Sequence, residues 1–385
     1  MYKDKIDFFL SEISKKCIAD KGDNITFSLG SNYYSLFYNN DIEIEKIESL
    51  IDLASEDTYY SFASGSLAVI YFMRLLHTSN IITDEDIDAI EEDSIEFFLE
   101  LISIYADKKE YDLFTGLIGL GLYFLEIQKL DTVAKIVSYI DHLKYEQNKS
   151  IFWVDHNITK EENICDLGLA HGLPSIISFL AECYHKGCEK ETCKKLIQGA
   201  VHFLSELYEE NKNSQYIFPS KINVVTRKKQ PANRLAWCYG DLGIAIGIWK
   251  AYTVLQDEDL KTMSLSIILN SSKIRLDNAG VFYSNKNDCI DTGICHGSSG
   301  ISHIFNKFYR VFKREELKEA HDYWMAITLQ QLDKGTKFPY DLKNDEWVEH
   351  TGLLEGISGV GMVLLDYQYP EKAKDWDKIY LMNIE

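Results

Sequence analysis

Two short motifs contain the residue types best suited to metal chemistry in this chain of 385 residues. One reads Trp-Cys-Tyr-Gly around Cys238, and the other reads Cys-His-Gly and supplies Cys295 and His296. Two thiols and an imidazole are a suitable ligand set for one Zn²⁺, which prefers sulfur and nitrogen donors. An isolated cysteine or histidine more often serves packing or hydrogen bonding, but the paired pattern favours zinc. Three protein ligands leave a fourth position open, which is typical of a catalytic zinc.

The glycines of both motifs belong to a series that recurs along the chain. From Gly65 to Gly356 the intervals between them range from 51 to 68 residues, and each glycine is followed by small or apolar residues. Residues 86–104 and 132–143 lie between them and show amphipathic helical spacing. Such a period accommodates two helices and their connections, and repeats of this size bury their apolar faces against neighbouring repeats. Seven units are expected, at Gly30, Gly65, Gly116, Gly172, Gly240, Gly297 and Gly356.

This repeat pattern predicts an all-α fold for a single domain of residues 1–385. We expect an α/α toroid, a double ring of seven inner and seven outer helices. An open superhelix would satisfy the same pattern, but a closed ring gathers the glycine turns at one end. The polar residues that directly precede the later glycines would then converge at the centre. These residues are His171, Tyr239, His296 and Glu355.

Composition excludes several classes of protein. A net charge of −20 argues against nucleic acid, whose recognition requires a basic surface, and against an anionic membrane surface. No apolar run is long enough to span a bilayer, and the first residues pass directly into an amphipathic pattern rather than a signal peptide. The eight cysteines are therefore expected to be thiols. A cytoplasmic protein is the simplest expectation.

The segment 211–231 differs from its surroundings. Residues 216–219 and 222–226 have the composition of short extended pieces, so a small β-rich insertion is predicted. Arg227, Lys228 and Lys229 form the one dense basic run of an acidic chain. The run precedes Cys238 closely, so it either helps to receive a peptide near the site or is a solvated surface loop.

The motifs Trp237–Gly240, Cys295–Gly297 and Gly168–Gly172 resemble the signatures of the lanthionine synthetase C-like cyclases. The glycine-led repeats extend this resemblance from about Gly30 to Gly361. The resemblance implies an α/α toroid with one Zn²⁺ that closes thioether rings in ribosomally made peptides. The turns after Gly172 and Gly240 depart from the family pattern, which affects turn geometry rather than ligands.

The resemblance also implies roles for individual residues. Cys238, Cys295 and His296 would hold the zinc, and His171 would transfer protons. Asp112, Arg234 and Tyr239 match further positions of the family's site. From the residues alone, Asp112 either orients His171 or caps the following helix, and the two alternatives stay open.

Arg234 either binds a substrate oxygen or pairs with an acidic residue. Tyr239 either donates a hydrogen bond to the same oxygen or is structural. No catalytic role is assigned to Glu355.

The activity implied is addition of a peptide cysteine thiol to dehydroalanine or dehydrobutyrine, giving lanthionine or methyllanthionine. The expected partners are a dehydrated precursor peptide and a separate dehydratase. Two alternatives remain: addition of glutathione to dehydrated residues, and a zinc-containing peptide-binding scaffold of a biosynthetic complex.

Overall fold

The computed structural model describes residues 2–156, 163–232 and 234–385, except for the side chain of Asp93. These residues form fourteen α-helices and nine short β-strands. Their contacts divide the chain into two compact units. Unit 1 comprises the residues up to Glu91 together with Val281–Lys378, and unit 2 comprises Glu92–Gly280 together with Ile379–Glu385. The prediction of a single domain over 1–385 stays a prediction.

Unit 1 is built mainly from helices that alternate along the sequence with short antiparallel hairpins. Its elements are α1 (Lys3–Ile18), α2 (Ile25–Asn39), α3 (Ile44–Glu56), α4 (Ser66–Thr78), β6 (Tyr283–Ser284), β7 (Cys289–Ile290), α12 (Ser298–Phe312), α13 (Glu315–Lys334), β8 (Phe338–Asp341), β9 (Glu346–Val348) and α14 (Ile357–Gln368). Strand β6 pairs with β7, and β8 pairs with β9. Helix α5 (Asp84–Lys108) begins in unit 1 and continues into unit 2.

Unit 2 contains the predicted insertion and the four predicted catalytic residues, Asp112, His171, Arg234 and Tyr239. Its elements are α6 (Leu117–Glu126), α7 (Leu130–Leu143), β1 (Tyr145–Gln147), β2 (Ser150–Phe152), β3 (Ile164–Asp166), α8 (Leu173–His185), α9 (Lys190–Asn211), β4 (Lys221–Asn223), β5 (Lys229–Gln230), α10 (Asp241–Leu255) and α11 (Glu258–Ser271). Strands β3, β4 and β5 form an antiparallel sheet, and β1 pairs with β2. Of the two extended pieces expected in 211–231, the second, 222–226, overlaps β4, whereas residues 216–219 form no strand.

Two kinds of helix alternate, as the apolar spacing predicts. In α6 every residue from Leu117 to Leu125 is buried, and α14 is buried over most of its length. In α7, by contrast, a single stripe of Val133, Ile136, Val137 and Ile140 is buried. Helices such as α6 lack a polar face because both sides pack against protein.

Glycines begin six of these buried helices because the chain folds back closely at each start. A β-carbon on Gly172, the N-cap of α8, would lie 2.2 Å from the carbonyl oxygen of Asp166. Gly240, the N-cap of α10, has a φ of 101°, a conformation that favours glycine. Gly65, Gly116, Gly297 and Gly356 cap α4, α6, α12 and α14 in the same position.

The first repeat does not follow this register. Gly30 lies inside α2, where a β-carbon would be 2.0 Å from the carbonyl oxygen of Thr351. Gly300 in α12 and Gly359 in α14 make the same kind of contact, each at 1.9 Å from a carbonyl oxygen. Gly30 thus does not cap α2, whose N-cap is Asn24, and the prediction that Gly30 stands before its helix is wrong.

Among the described residues, no helix combines the length and the apolar character needed to cross a membrane.

Candidate active site

Asp112 and His171 form a hydrogen-bonded pair within unit 2. Asp112 lies in the turn before α6, where its Oδ1 accepts the backbone N–H groups of Phe114 at 2.7 Å and Thr115 at 2.9 Å. Its Oδ2 lies 2.5 Å from Nδ1 of His171. The same carboxylate thus satisfies the turn and holds the imidazole. The two alternatives that the sequence left open for Asp112 are compatible in one side chain, although the N-cap of α6 is Gly116.

The surroundings of His171 tune its basicity. Burial lowers the pKa of His171. The opposing effect comes from the hydrogen bond and charge of Asp112 and from the nearby Asp166 and Cys238, and it is larger. The pKa is therefore raised above its ordinary value. The ring also contacts Phe114 edge-on, with centroids 5.6 Å apart. Because the Nδ1 proton is donated to Asp112, Nε2 is the nitrogen that can exchange a proton.

Cys238 belongs to the turn that precedes α10, and this turn packs closely against the turn that contains His171 and is hydrogen-bonded to it. The carbonyl oxygen of Cys238 accepts the backbone N–H of Ala170 at 3.4 Å. A β-carbon on Gly168 would come within 2.5 Å of the same oxygen. Cys238 itself is 5% exposed. The backbone therefore fixes the thiol-bearing turn against the turn that carries His171.

Tyr239 is anchored by two residues that the sequence analysis did not single out, Asp166 and Lys221. Its hydroxyl donates a hydrogen bond to Oδ2 of Asp166 at 2.9 Å, and Nζ of Lys221 lies 3.0 Å from the same oxygen. Burial and the charge of Asp166 raise the pKa of Tyr239 well above its ordinary value. Asp166 is fully buried, and its Oδ1 accepts the N–H of Gly168. The hydroxyl proton of Tyr239 is thus engaged by protein in this arrangement.

Arg234 lines a cavity of about 280 Å³ in unit 2, together with Lys221 and Tyr239. Among the described residues, Ser220, Ala232 and Gly240 also line it. Two cationic side chains on one cavity favour an oxygen-rich ligand such as a peptide carbonyl or carboxylate.

Cys295, His296 and Glu355 come together within unit 1, where their ligand atoms all lie within 4.8 Å of one another. Nδ1 of His296 lies 2.5 Å from Oδ2 of Asp291, and its Nε2 lies 3.2 Å from Oε1 of Glu355. Asp291 is 1% exposed and also accepts the N–H of Gly293 through Oδ1. Histidines that bind metals commonly donate their second N–H to a carboxylate in this way.

The donor set of unit 1 fits a zinc ion. A thiol, an imidazole nitrogen and a carboxylate oxygen are all zinc ligands, and the Asp291 carboxylate fixes the imidazole so that Nε2 is available. Cys238 is described with unit 2, so the predicted set of Cys238, Cys295 and His296 stays a prediction.

Asp166 and Asp291 share a sequence position that the analysis did not use. Each stands six residues before the glycine that caps the following helix and two residues before another glycine. In both, Oδ1 closes the local turn and Oδ2 reaches a site side chain, Tyr239 or His296. The repeated Asp-x-Gly pattern is visible in the sequence and could have identified both aspartates. The sequence analysis considered only the residues directly before the capping glycines, so it did not include them.

The basic run of 227–229 is partly neutralised within unit 2. Nη2 of Arg227 lies 2.8 Å from Oε1 of Glu210, and Nζ of Lys229 lies 2.6 Å from Oε2 of the same carboxylate. The exposed ion pairs contribute little energy individually. Both the peptide-receiving and the surface-loop interpretations remain compatible with this arrangement.

Two comparisons of the sequence with known proteins gave matches. A model of the lanthionine synthetase C-like protein family matches residues 27–381. The nisin biosynthesis protein NisC of Lactococcus lactis subsp. lactis is 25% identical over 291 residues, which span 71% of this chain and 64% of that protein. The chain thus matches slightly less than two thirds of that relative's length.

Solved structures show the same fold. A structure of nisin cyclase superposes with a TM-score of 0.74 at 19% identity, covering 99% of this chain and 98% of that one. An unsaturated glucuronyl hydrolase from Streptococcus agalactiae gives a TM-score of 0.50 at 12% identity, covering 88% and 96%. The likeness to nisin cyclase confirms the predicted fold class, an all-α protein of the α/α-toroid type.

Proposed function

Since the chain belongs to the lanthionine synthetase C-like family, as its motifs predicted, we propose that it is a zinc-dependent lanthipeptide cyclase. Its substrate is a dehydrated precursor peptide. The reaction adds a cysteine thiol of the peptide to a dehydroalanine or dehydrobutyrine of the same peptide, which forms a lanthionine or methyllanthionine ring.

The observation that carries this proposal is the presence of two carboxylate–imidazole pairs with different neighbours. His296 is paired with Asp291 and stands beside the Cys295 thiol and the Glu355 carboxylate, which suits metal binding. His171 is paired with Asp112 and packs against aromatic rings, which suits proton transfer. Cyclisation by thiol addition needs both functions.

Cys238, Cys295 and His296 would hold one Zn²⁺, which lowers the pKa of a bound thiol and so supplies a thiolate at neutral pH. A free cysteine thiol has a pKa of about 8.5 and is mostly protonated under these conditions. Asp291 supports this set by fixing the imidazole of His296.

His171 accepts and then donates the proton that the reaction transfers. Its Nε2 accepts the proton released by the peptide thiol, and Asp112 stabilises the resulting imidazolium through Nδ1. Sulfur then bonds to the β-carbon of the dehydrated residue, and the electron pair of the carbon–carbon double bond moves to give an enolate. His171 returns the proton to the α-carbon, so substrate and product have the same composition.

Arg234 and Lys221 suit stabilisation of the substrate oxygen. Both line the cavity beside Tyr239, and their positive charges would favour the enolate over the neutral carbonyl. Tyr239 contributes by holding Asp166, and through it Lys221, in place.

The expected partners follow from the chemistry of the substrate. Dehydration of serine or threonine is a different reaction from thiol addition, and we propose that a separate dehydratase supplies the peptide. We propose cytoplasmic action, because the expected precursor is a ribosomal product. The basic run at Arg227 is a candidate to receive the acidic part of such a peptide.

A mass measurement with intact peptide tests the function. Purified protein is incubated with a dehydrated precursor, and free thiols are counted alongside product mass. Cyclisation removes thiols without changing mass, whereas glutathione addition raises the mass and a scaffold changes neither. Cys295→Ala should lose zinc and cyclisation together, and His185→Ala, which removes an exposed histidine that binds Thr253, is the matched control.

A further inference from the structure

We propose that Glu355 is a ligand of the zinc ion when no thiol is bound, and that the substrate thiol competes with it for that position. The inference deepens the proposed function and rests on it. It adds a carboxylate donor to the thiol of Cys295 and the imidazole of His296, and this donor gives way when a thiol binds.

The backbone places Glu355 beside Cys295. The carbonyl oxygen of Leu354 accepts the N–H groups of Ile294 at 2.9 Å and of Cys295 at 3.2 Å. A β-carbon on Gly293 would lie 3.2 Å from the α-carbon of Glu355. The turn before α14 is therefore hydrogen-bonded directly to the turn before α12. Glu355 holds the same position before Gly356 that His296 holds before Gly297.

The donor atoms have the spacing of a metal site. Ligand atoms around a tetrahedral zinc are separated by about 3–4 Å, given bonds of about 2.0–2.3 Å. Oε1 of Glu355 lies 3.2 Å from Nε2 of His296, and one ligand atom of each of Cys295, His296 and Glu355 lies within 4.8 Å of the other two. Since Nδ1 of His296 is bound to Asp291, the nitrogen that faces Glu355 is the one available for a metal.

Exposure distinguishes Glu355 from the other donors. Its side chain is 48% exposed, whereas that of His296 is 13% exposed and Cys295 is buried. A half-exposed carboxylate can swing into solvent at little cost. Zinc also favours soft sulfur over a carboxylate oxygen when a thiolate is available. Glu355 is thus the ligand that an incoming thiol displaces.

The alternative is that Glu355 and His296 form only an ion pair and that Glu355 does not bind the metal. The effect of a Glu355 substitution on metal affinity distinguishes these two possibilities. Glu355→Gln keeps the size of the side chain and removes its charge. Glu349→Gln is the matched control, because Glu349 is an exposed residue of the same unit that pairs with Lys16. Circular dichroism checks that both variants keep their helices.

Zinc affinity is measured by competition with a chromophoric chelator, and the ligand set by visible absorption of the cobalt(II) form. We expect Glu355→Gln to weaken zinc binding by at least about tenfold and to alter the cobalt spectrum. Glu349→Gln should change neither. Unchanged affinity and spectrum in Glu355→Gln would show an ion pair only and overturn the inference.

Titration of the cobalt form with a short peptide that contains one cysteine supplies a second readout. If Glu355 competes with the thiol, Glu355→Gln should bind the peptide more tightly than the wild type, although it holds the metal less tightly. Equal or weaker peptide binding would contradict the competition. If the wild type and Cys295→Ala both fail to bind zinc, the proposed cofactor itself is wrong, an outcome distinct from a failure of Glu355 alone.

Discussion

Oδ2 of Asp112 lies 2.5 Å from Nδ1 of His171, while Oδ1 of the same carboxylate accepts two backbone N–H groups of the turn before α6. The orientation of the imidazole is therefore tied to the backbone of a different repeat. A small rotation of His171 would break a charged hydrogen bond, so the ring is preorganised for proton transfer.

The pair predicts a specific pH dependence for Asp112→Asn. Burial alone lowers the pKa of His171, and Asp112 contributes most to raising it, so the variant should titrate at lower pH. The pair stabilises the folded protein fully below the unfolded pKa, and this contribution is lost as pH rises through the raised folded pKa. NMR titration of His171 and the pH profile of cyclisation measure the expected fall in the pKa of His171. Asp107→Asn, at an exposed position, is the control. An unchanged titration would contradict the assigned role.

Asp291→Asn should weaken zinc binding while the fold persists. Asparagine keeps an oxygen for the N–H of Gly293 but cannot accept a hydrogen bond at the atom that replaces Oδ2, next to His296. Loss of such a supporting carboxylate typically costs about 10- to 100-fold in metal affinity. Chelator competition measures the effect, and Asp288→Asn on the exposed β6–β7 hairpin should leave affinity unchanged. Wild-type affinity in Asp291→Asn would exclude His296 as a supported ligand.

Tyr239→Phe separates the structural from the catalytic interpretation of this tyrosine. The change removes one donor from the buried carboxylate of Asp166, and we expect unfolding to become easier by about 1–3 kcal/mol. The cyclisation rate should fall less than about tenfold, because Tyr239 acts through Asp166 and Lys221. Denaturant unfolding and initial rates are compared with Tyr252→Phe, whose hydroxyl binds Glu258 at the surface. A large rate loss at unchanged stability would show that Tyr239 touches the substrate.

Neutralising Arg227, Lys228 and Lys229 together should weaken precursor binding by about three- to tenfold, since exposed charges each contribute little. Two of these side chains also lose their partner Glu210 on α9. Fluorescence anisotropy of a labelled precursor at two salt concentrations measures the change, which should shrink at high salt.

A second triple variant serves as the control for this experiment. It neutralises exposed lysines elsewhere on unit 2, at Lys186, Lys194 and Lys195. Equal precursor affinity in the wild type and the 227–229 variant would leave that run as a surface loop, as the sequence allowed.

The sequence predicted the helical repeats better than it predicted the contacts that support the site residues. Helix α7 was foreseen within two residues at its start because its apolar stripe repeats at helical spacing. The two- to four-residue hairpin strands were missed, since runs of that length carry no periodicity. Asp166 and Lys221 were missed because their meeting depends on the pairing of β3 with β4, in which Asp166 lies opposite Lys221. The contact between Glu355 and His296 was also not predicted, because the two residues belong to different repeats.

The position of Gly30 shows a limit of another kind. The sequence indicated that a small residue is needed at this position. A single glycine does not reveal, however, whether it caps a helix or lets another part of the backbone pack closely against the middle of one.

The central claim is that this protein closes thioether rings by intramolecular thiol addition, with the final proton delivered to carbon. The most direct test incubates the zinc-loaded protein with a dehydrated precursor in D₂O and then returns the product to H₂O. We predict that each thiol lost is accompanied by one retained deuterium and no other change in mass. Persistence of the thiols, or a mass increase equal to an added thiol compound, would contradict the account.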